Sequence, residues 1–249
     1  MIHQTAIVSD KAQLGRNVSV GPFSIIHDDV VIGDDSVIES HCEIGYPTKL
    51  AKDESLVLGK NSLIRSHSVF YQGSVFGDSL VTGHRVTVRE HVKAGKNLQI
   101  GTLSDFQGDC VIGNYVRTHS NVHIGKHSKI CNFVWIFPYV VLTNDPHPPS
   151  NYLVGVTIHD YAVIATMSVI LPGISVGKHS LIAAHSMVNK DVPENMVVGG
   201  SPAKIICEVE KIKLKDGSGN SAYPWIKHFH RGYPPEIVKA WLDESDNSF

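Results

Sequence analysis

Aliphatic residues recur along this chain at every sixth position. From residue 158 to 188 the series Ile158, Ile164, Ile170, Val176, Ile182 and Val188 runs without a gap. The same step at the N-terminus gives Ile2, Val8, Leu14, Val20, Ile26, Ile32, Ile38 and Ile44. With 42% hydrophobic residues overall, eight matches in eight steps have a chance of about one in a thousand. Four of these aliphatics are followed by glycine (Gly15, Gly21, Gly33, Gly45), and four residues after them stand Ala6, Ala12, Val18, Ser24, Val30, Ser36 and Cys42. A six-residue unit is too short for a helix pair and suits one short strand with a turn. The aliphatic then points inward, the small residue fits beside it near the corner, and glycine eases the bend.

Stacked units of this kind pair strand on strand and cover one another's edges. The pattern therefore predicts an all-β solenoid over residues 1–204, with inserts near 46–56 and 144–156. Between the inserts the register reads Leu58, Ile64, Phe70, Phe76, Thr82, Val88, Ala94, Ile100, Phe106, Ile112, Thr118, Ile124, Ile130, Ile136 and Leu142. Thr82 and Thr118 fit it less well, and each lies beside a histidine, His84 and His119. The second insert contains Pro148 and Pro149, which cannot serve a central ladder, so it is expected to project as a loop. Residues 205–249 have no hexads. Pro234 and Pro235 ahead of EIVKAWL predict a short helix there. Five aromatics, Tyr223, Trp225, Phe229, Tyr233 and Trp241, are expected to pack this extension against the end of the solenoid, with a substrate lid as the alternative.

A formal net charge of −2 offers no electrostatic case for nucleic acid. The four cysteines form no CxxC pair, and Cys42 and Cys110 fall on the small interior position, which is core packing. The first residues have neither a charged nor an apolar leader region, and no apolar run approaches the ~20 residues of a membrane helix. These features lead us to expect a soluble, cytoplasmic protein with no membrane partner.

Residues 156–204, VTIHDYAVIATMSVILPGISVGKHSLIAAHSMVNKDVPENMVVGGSPAK, resemble the terminal coils of acetyl-CoA-dependent hexapeptide acyltransferases. The resemblance implies a left-handed parallel β-helix, with three hexads to each triangular coil, and a homotrimer whose late coils form a coenzyme A groove between subunits. It also implies acetyl-CoA, or another acyl-CoA, as co-substrate and no metal. Small residues at Ala165, Ala183 and Ala184, with Thr166 beside them, would let the pantetheine arm lie close to the backbone. Lys190 and Lys204 would meet its phosphates as point charges.

The second insert carries two further likenesses. His147-Pro148 is in register with the His-Pro of galactoside- and maltose-type O-acetyltransferases, where that histidine is the general base. Thr143-Asn144-Asp145 is similar to the loop of aminosugar N-acyltransferases acting on sugar nucleotides. The long N-terminal solenoid favours the second group, and with it a nucleotide-linked deoxyaminosugar as acceptor; the sugar O-acetyltransferase remains the alternative.

Acyl transfer from a thioester needs a base for the nucleophile's proton and a donor for the oxyanion. His147 is the first candidate base. His119 and His123 would orient it, bind the sugar, or act themselves. Asp145 could hold an ammonium, and Asn144 a sugar hydroxyl or the oxyanion. Arg85, Arg89 and Glu90, near His84, are candidates for contacting a diphosphate, since the arginine fork matches phosphate oxygens. A zinc hydrase of the γ-carbonic anhydrase type shares the fold, and His84, His119 and His123 would be its ligands. A non-catalytic binding solenoid has no positive feature in its favour.

Overall fold

The computed structural model describes residues 1–52 and 54–246. The chain winds through three parallel sheets, giving one short strand to each in turn. The first sheet runs from Ile7–Val8 to Met187–Val188, the second from Gln13–Leu14 to Ser175–Val176, and the third from Ser19–Val20 onward. Among the described residues they hold 10, 9 and 11 strands. Up to the closing end each strand pairs with the one three strands later, as in Ile7↔Ile25 and Val8↔Ile26, so residues one coil apart stand directly above each other. An antiparallel hairpin, Met196–Gly200 with Ala203–Glu208, closes the third sheet.

The hexad register becomes the core. Ile26, Ile32, Ile38 and Ile44 are at most 1% exposed, and full burial of each such side chain contributes about 1.5–3 kcal/mol. Phe70, Phe76 and Phe106 are interior as well, Phe70 and Phe76 meeting edge to face at 5.4 Å. Thr82 and Thr118 also point inward, and their hydroxyls accept from the Arg65 and Gly101 backbone N–H at 2.8 and 3.4 Å. Ser24 shows why small polar residues suit the corner. Its hydroxyl donates to the Glu39 carbonyl at 2.7 Å and accepts from the Cys42 N–H at 3.0 Å. Burial pushes the Cys42 and Cys110 thiols up to about 11, which makes both unreactive packing residues.

Two sequence expectations need correction. Ile2 begins the hexad series yet is 49% exposed, because no coil lies beneath the first to cover it. The polar insert near 46–56, whose proline and charges suggest a loop away from the solenoid, instead makes one 3-10 turn, Lys49–Ala51, with Ala51 buried, and returns as the strand Leu56–Leu58.

The corner between the second and third sheets explains the extension. Every residue at its tip has positive φ, a conformation Asn and Asp tolerate best. Asn17, Asp35, Asn61, Ser79 and Asn97 fill it in the early coils. Later coils place Tyr115, Phe133, Tyr161 and His179 there, stacked with centroids 5.0, 5.0 and 4.8 Å apart. Beside them the outward positions of the third sheet become apolar, with Trp135, Val163, Leu181 and Val197. The extension covers this surface with Trp225, Ile226, Tyr233 and Trp241, making a second apolar cluster outside the solenoid. The extension thus packs along the flank rather than on the end, where these outward apolar residues meet it. The expected helix is α1 (Pro235–Asp246).

Candidate functional site

The outward row of the first sheet places Thr87, Asp105, His123 and Val141 one above another. His123 Nδ1 lies 3.1 Å from Asp105 Oδ2, and Gln107 Nε2 also donates to that oxygen. An ionised carboxylate only accepts, so in the neutral ring the imidazole proton sits on Nδ1 and the lone pair on Nε2. Both side chains are open to solvent, at 40% and 34% exposure. Burial alone would raise the Asp105 carboxyl. The hydrogen bonds from His123 and Gln107, with the charges of His123 and Arg89, outweigh it and hold Asp105 below its ordinary range. An exposed imidazole held this way by a carboxylate can act as a general base.

A charged cluster occupies the adjoining corner between the first and second sheets. Glu90 is only 1% exposed and receives the Arg89 guanidinium at 3.2 and 3.3 Å. Lys126 Nζ lies 3.5 Å from Glu90 and 2.9 Å from Asp109, and His91 Nδ1 is 3.1 Å from Asp109. The Asp109 carboxyl is raised by burial but, on balance, lowered by its bonds to Lys126 and His91. Gly108, at φ +91°, allows this: a Cβ there would stand 2.6 Å from the Glu90 carbonyl oxygen. Glu90 is the buried member, and its charge depends on the Arg89 and Lys126 cations, which are themselves partly exposed.

The 143–156 loop leaves the first sheet directly above this region. Gly125, two residues beyond His123, lies beneath Asn144, whose Cβ would be 3.2 Å from a Cβ on the glycine. Thr143 Oγ1 donates to the Ile170 carbonyl at 2.8 Å. Asp145 accepts from the Ser150 hydroxyl at 2.7 Å, the Ser150 N–H at 2.8 Å and the His147 N–H at 3.0 Å. The Ser150 hydroxyl is the chief reason the Asp145 carboxyl lies below its usual range. Asp145 thus shapes the loop, while His147 is exposed.

The three candidate histidines are distributed over three places. His123 is on the first sheet beneath the loop and His147 on the loop itself. His119 belongs to the third-sheet side, its ring stacked on Phe137 at 4.6 Å. Burial, with the neighbouring Arg117 charge, lowers the pKa of His119. Arg85 is exposed at the corner between the third and first sheets, and His84 beside it bonds to the Ser66 hydroxyl at 2.9 Å. Arg89 lies at the opposite edge of the first sheet and is engaged by Glu90. Glu90, expected beside Arg85 and Arg89 as a candidate for contacting a diphosphate, is instead buried in the corner. His84, His119 and His123 do not form a ligand set, and no group of three or more His, Cys, Asp or Glu among the described residues could hold a metal ion.

Ala165 and Ala183 stand one coil apart just after the third sheet's late strands Val163–Ile164 and Leu181–Ile182, with Thr166 and Ala184 following them at the corner. Lys190 and Lys204 line one cleft of about 470 Å³ at the closing end of the solenoid. Asp105, Gln107, Lys126 and Asp109 were not singled out from the sequence. Their signal was present: Asp105–His123 and His91–Asp109 are each spaced by one coil of three hexads.

The repeat and the three-sheeted solenoid define a hexapeptide-repeat protein, and residues 11–46 match the family model described as bacterial transferase hexapeptide (six repeats). Over that stretch the chain is similar to the bacterial hexapeptide transferases. It is 34% identical over 131 residues to the acyl-[acyl-carrier-protein]–UDP-N-acetylglucosamine O-acyltransferase of Saccharophagus degradans, covering 53% of this chain and 48% of that one. It is 33% identical over 96 residues to the 2,3,4,5-tetrahydropyridine-2,6-dicarboxylate N-acetyltransferase of Staphylococcus aureus, covering 39% and 34%. The chain spans between 34% and 62% of the length of the curated relatives it matches. Its fold is similar to that of Arabidopsis UDP-N-acetylglucosamine acyltransferase, with a TM-score of 0.63 at 20% identity over 84% of this chain and 74% of that one.

Proposed function

We propose that the protein is an acyl-CoA-dependent acyltransferase that acetylates the amino group of a nucleotide-linked deoxyaminosugar. The observation that carries the reading is the His123–Asp105 pair, open to solvent on the first sheet beneath the Thr143-Asn144-Asp145 loop. Relatives named for O- and N-acyl transfer support the reaction class. In this reading the acceptor amine, having lost its extra proton, attacks the thioester carbonyl carbon. His123 Nε2 accepts a proton from the nitrogen as the C–N bond forms. The tetrahedral adduct then expels the thiolate, which takes the proton back from the imidazolium to leave as thiol. Asp105 holds the ring and stabilises its charged form, as an orienting carboxylate does. Asn144 is assigned to the oxyanion or a sugar hydroxyl, Asp145 to the arriving ammonium, and His147 to closing the loop over the acceptor.

Ala165, Thr166, Ala183, Ala184, Lys190 and Lys204 are assigned to coenzyme A, with a neighbouring subunit of a homotrimer completing the groove. The test follows thiol release from acetyl-CoA with nucleotide-linked aminosugars beside galactosides and maltose. Nucleotide aminosugars should react and simple glycosides should not; equal turnover of the glycosides would transfer the assignment to sugar O-acetylation. Light scattering should give a trimer at micromolar concentration, and a monomer would remove the shared groove.

A further inference from the structure

We propose that the third sheet and the C-terminal extension form a binding site for an anion with an unfunctionalised hydrocarbon body, of the fatty carboxylate type. Two adjoining hollows carry the inference. One, of about 270 Å³, lies between solenoid and extension, walled by Trp135, Phe137, Val163, Trp225, Phe229 and the Ala222-Tyr223 pair; its one imidazole, His228, already bonds through Nε2 to the Ala222 carbonyl. The other, of about 460 Å³, shares Trp135 and Phe229 with it and adds Arg117, His119 and Arg231.

The two hollows ask for different chemistry. In the first, a nucleobase would bury ring nitrogens and oxygens among aromatic and aliphatic walls, at about 1–3 kcal/mol for each left unpaired. A hydrocarbon instead gains about 25 cal/mol for each Å² removed from water.

The second hollow holds two arginines. The Arg117 guanidinium lies 4.3 Å from the Tyr233 ring centroid and 5.2 Å from that of Trp135, and donates to the Gly232 carbonyl at 3.0 Å. Arg231 lies 5.7 Å from the Phe229 centroid. The arginine–carboxylate pairs among the described residues are those of Arg16, Arg65 and Arg89, so Arg117 and Arg231 keep their charge for a ligand. A guanidinium fork matches a carboxylate with two parallel bonds. The site is on another face from the His123 pair and does not depend on the transfer reaction.

The test titrates the full chain with decanoate, decanol, decylammonium and UMP by calorimetry, with tryptophan fluorescence as a second signal. Decanoate should bind at one site per chain, about tenfold or more tighter than decanol, the worth of a charge-assisted bond, and decylammonium should not bind. Arg231→Gln, at an exposed side chain, should bring decanoate down to the level of decanol. Ala222→Leu, which fills the apolar hollow, should abolish both. Melting curves establish that each variant is folded, and Val163→Phe fills the same hollow from the solenoid side if Ala222→Leu is not. No decanoate binding by wild type at millimolar concentration, equal affinity for decylammonium, or binding untouched by a folded hollow-filling variant overturns the proposal. So does tighter binding of UMP that the same variant blocks.

Discussion

His119 and His123 are four residues apart and live in different chemistry. His123 stands on the first sheet, oriented by Asp105 and open to solvent. His119 stands on the third-sheet side, its ring against Phe137, desolvated and beside the Arg117 cation, which lowers its pKa. The turn of the solenoid between them separates a hydrated, carboxylate-rich wall from one covered by the aromatic extension. One wall suits proton transfer, the other packing and binding, and the residue type alone would not tell them apart.

The largest expected effect breaks that contrast at the base. His123→Ala should lower kcat by about 10²–10⁴, the usual worth of a positioned general base, while His119→Ala should change it less than about tenfold. Thiol release with the acceptor found by the panel measures both. If His147→Ala gives the large loss and His123→Ala does not, the loop carries the base.

On the aromatic wall, Trp225→Ala should cost about 3–5 kcal/mol of stability, the usual range for a buried tryptophan. Denaturant unfolding gives the value. A loss below about 1 kcal/mol would mean that the extension contributes little to holding the flank.

The smallest effect is a pH dependence. Burial, reinforced by the Lys178 charge, pushes His179 down to about 4. Its native pKa is thus below the unfolded value of about 6.5, so the unfolded state binds the proton first. The stability from a neutral His179 is fully present above about pH 6.5 and is lost as pH falls toward 4. His179→Phe keeps the stack on Tyr161 and removes the proton site, so its stability should fall less than that of wild type between pH 7 and 4.5. Parallel curves in urea would show that His179 does not titrate on unfolding.

Much of the fold was legible because the period is short and local. A side chain every sixth residue must face the same way in each unit, so Ile26, Ile38 or Ile164 announces its burial without reference to the rest of the chain. Thr82 and Thr118 looked weak in that register because the backbone N–H groups that satisfy them come from neighbouring strands. The catalytic proposal was half legible: His123 and the 144–147 loop stood out, and Asp105 did not. An aspartate on a solenoid wall is ordinarily a solvated charge, and only its register beneath His123 gives it a role.

The sequence by itself determined the repeat, the inward positions, the second insert and the helix of the extension, since each follows from local spacing and backbone chemistry. The tertiary structure decided which outward residues meet. Stacking coils sets Asp105 under His123 and closes Glu90, Lys126 and Asp109 into one cluster. It also carries the extension to the third sheet rather than the solenoid end. Those contacts depend on residues one or two coils apart or far more distant, as in the 2.9 Å bond from Trp135 Nε1 to the Tyr233 hydroxyl at a separation of 98 and the Arg117 bond to Gly232 at 115. Hydrophobic burial selects such partners by the surface they jointly remove from water, a quantity that no single stretch of sequence contains.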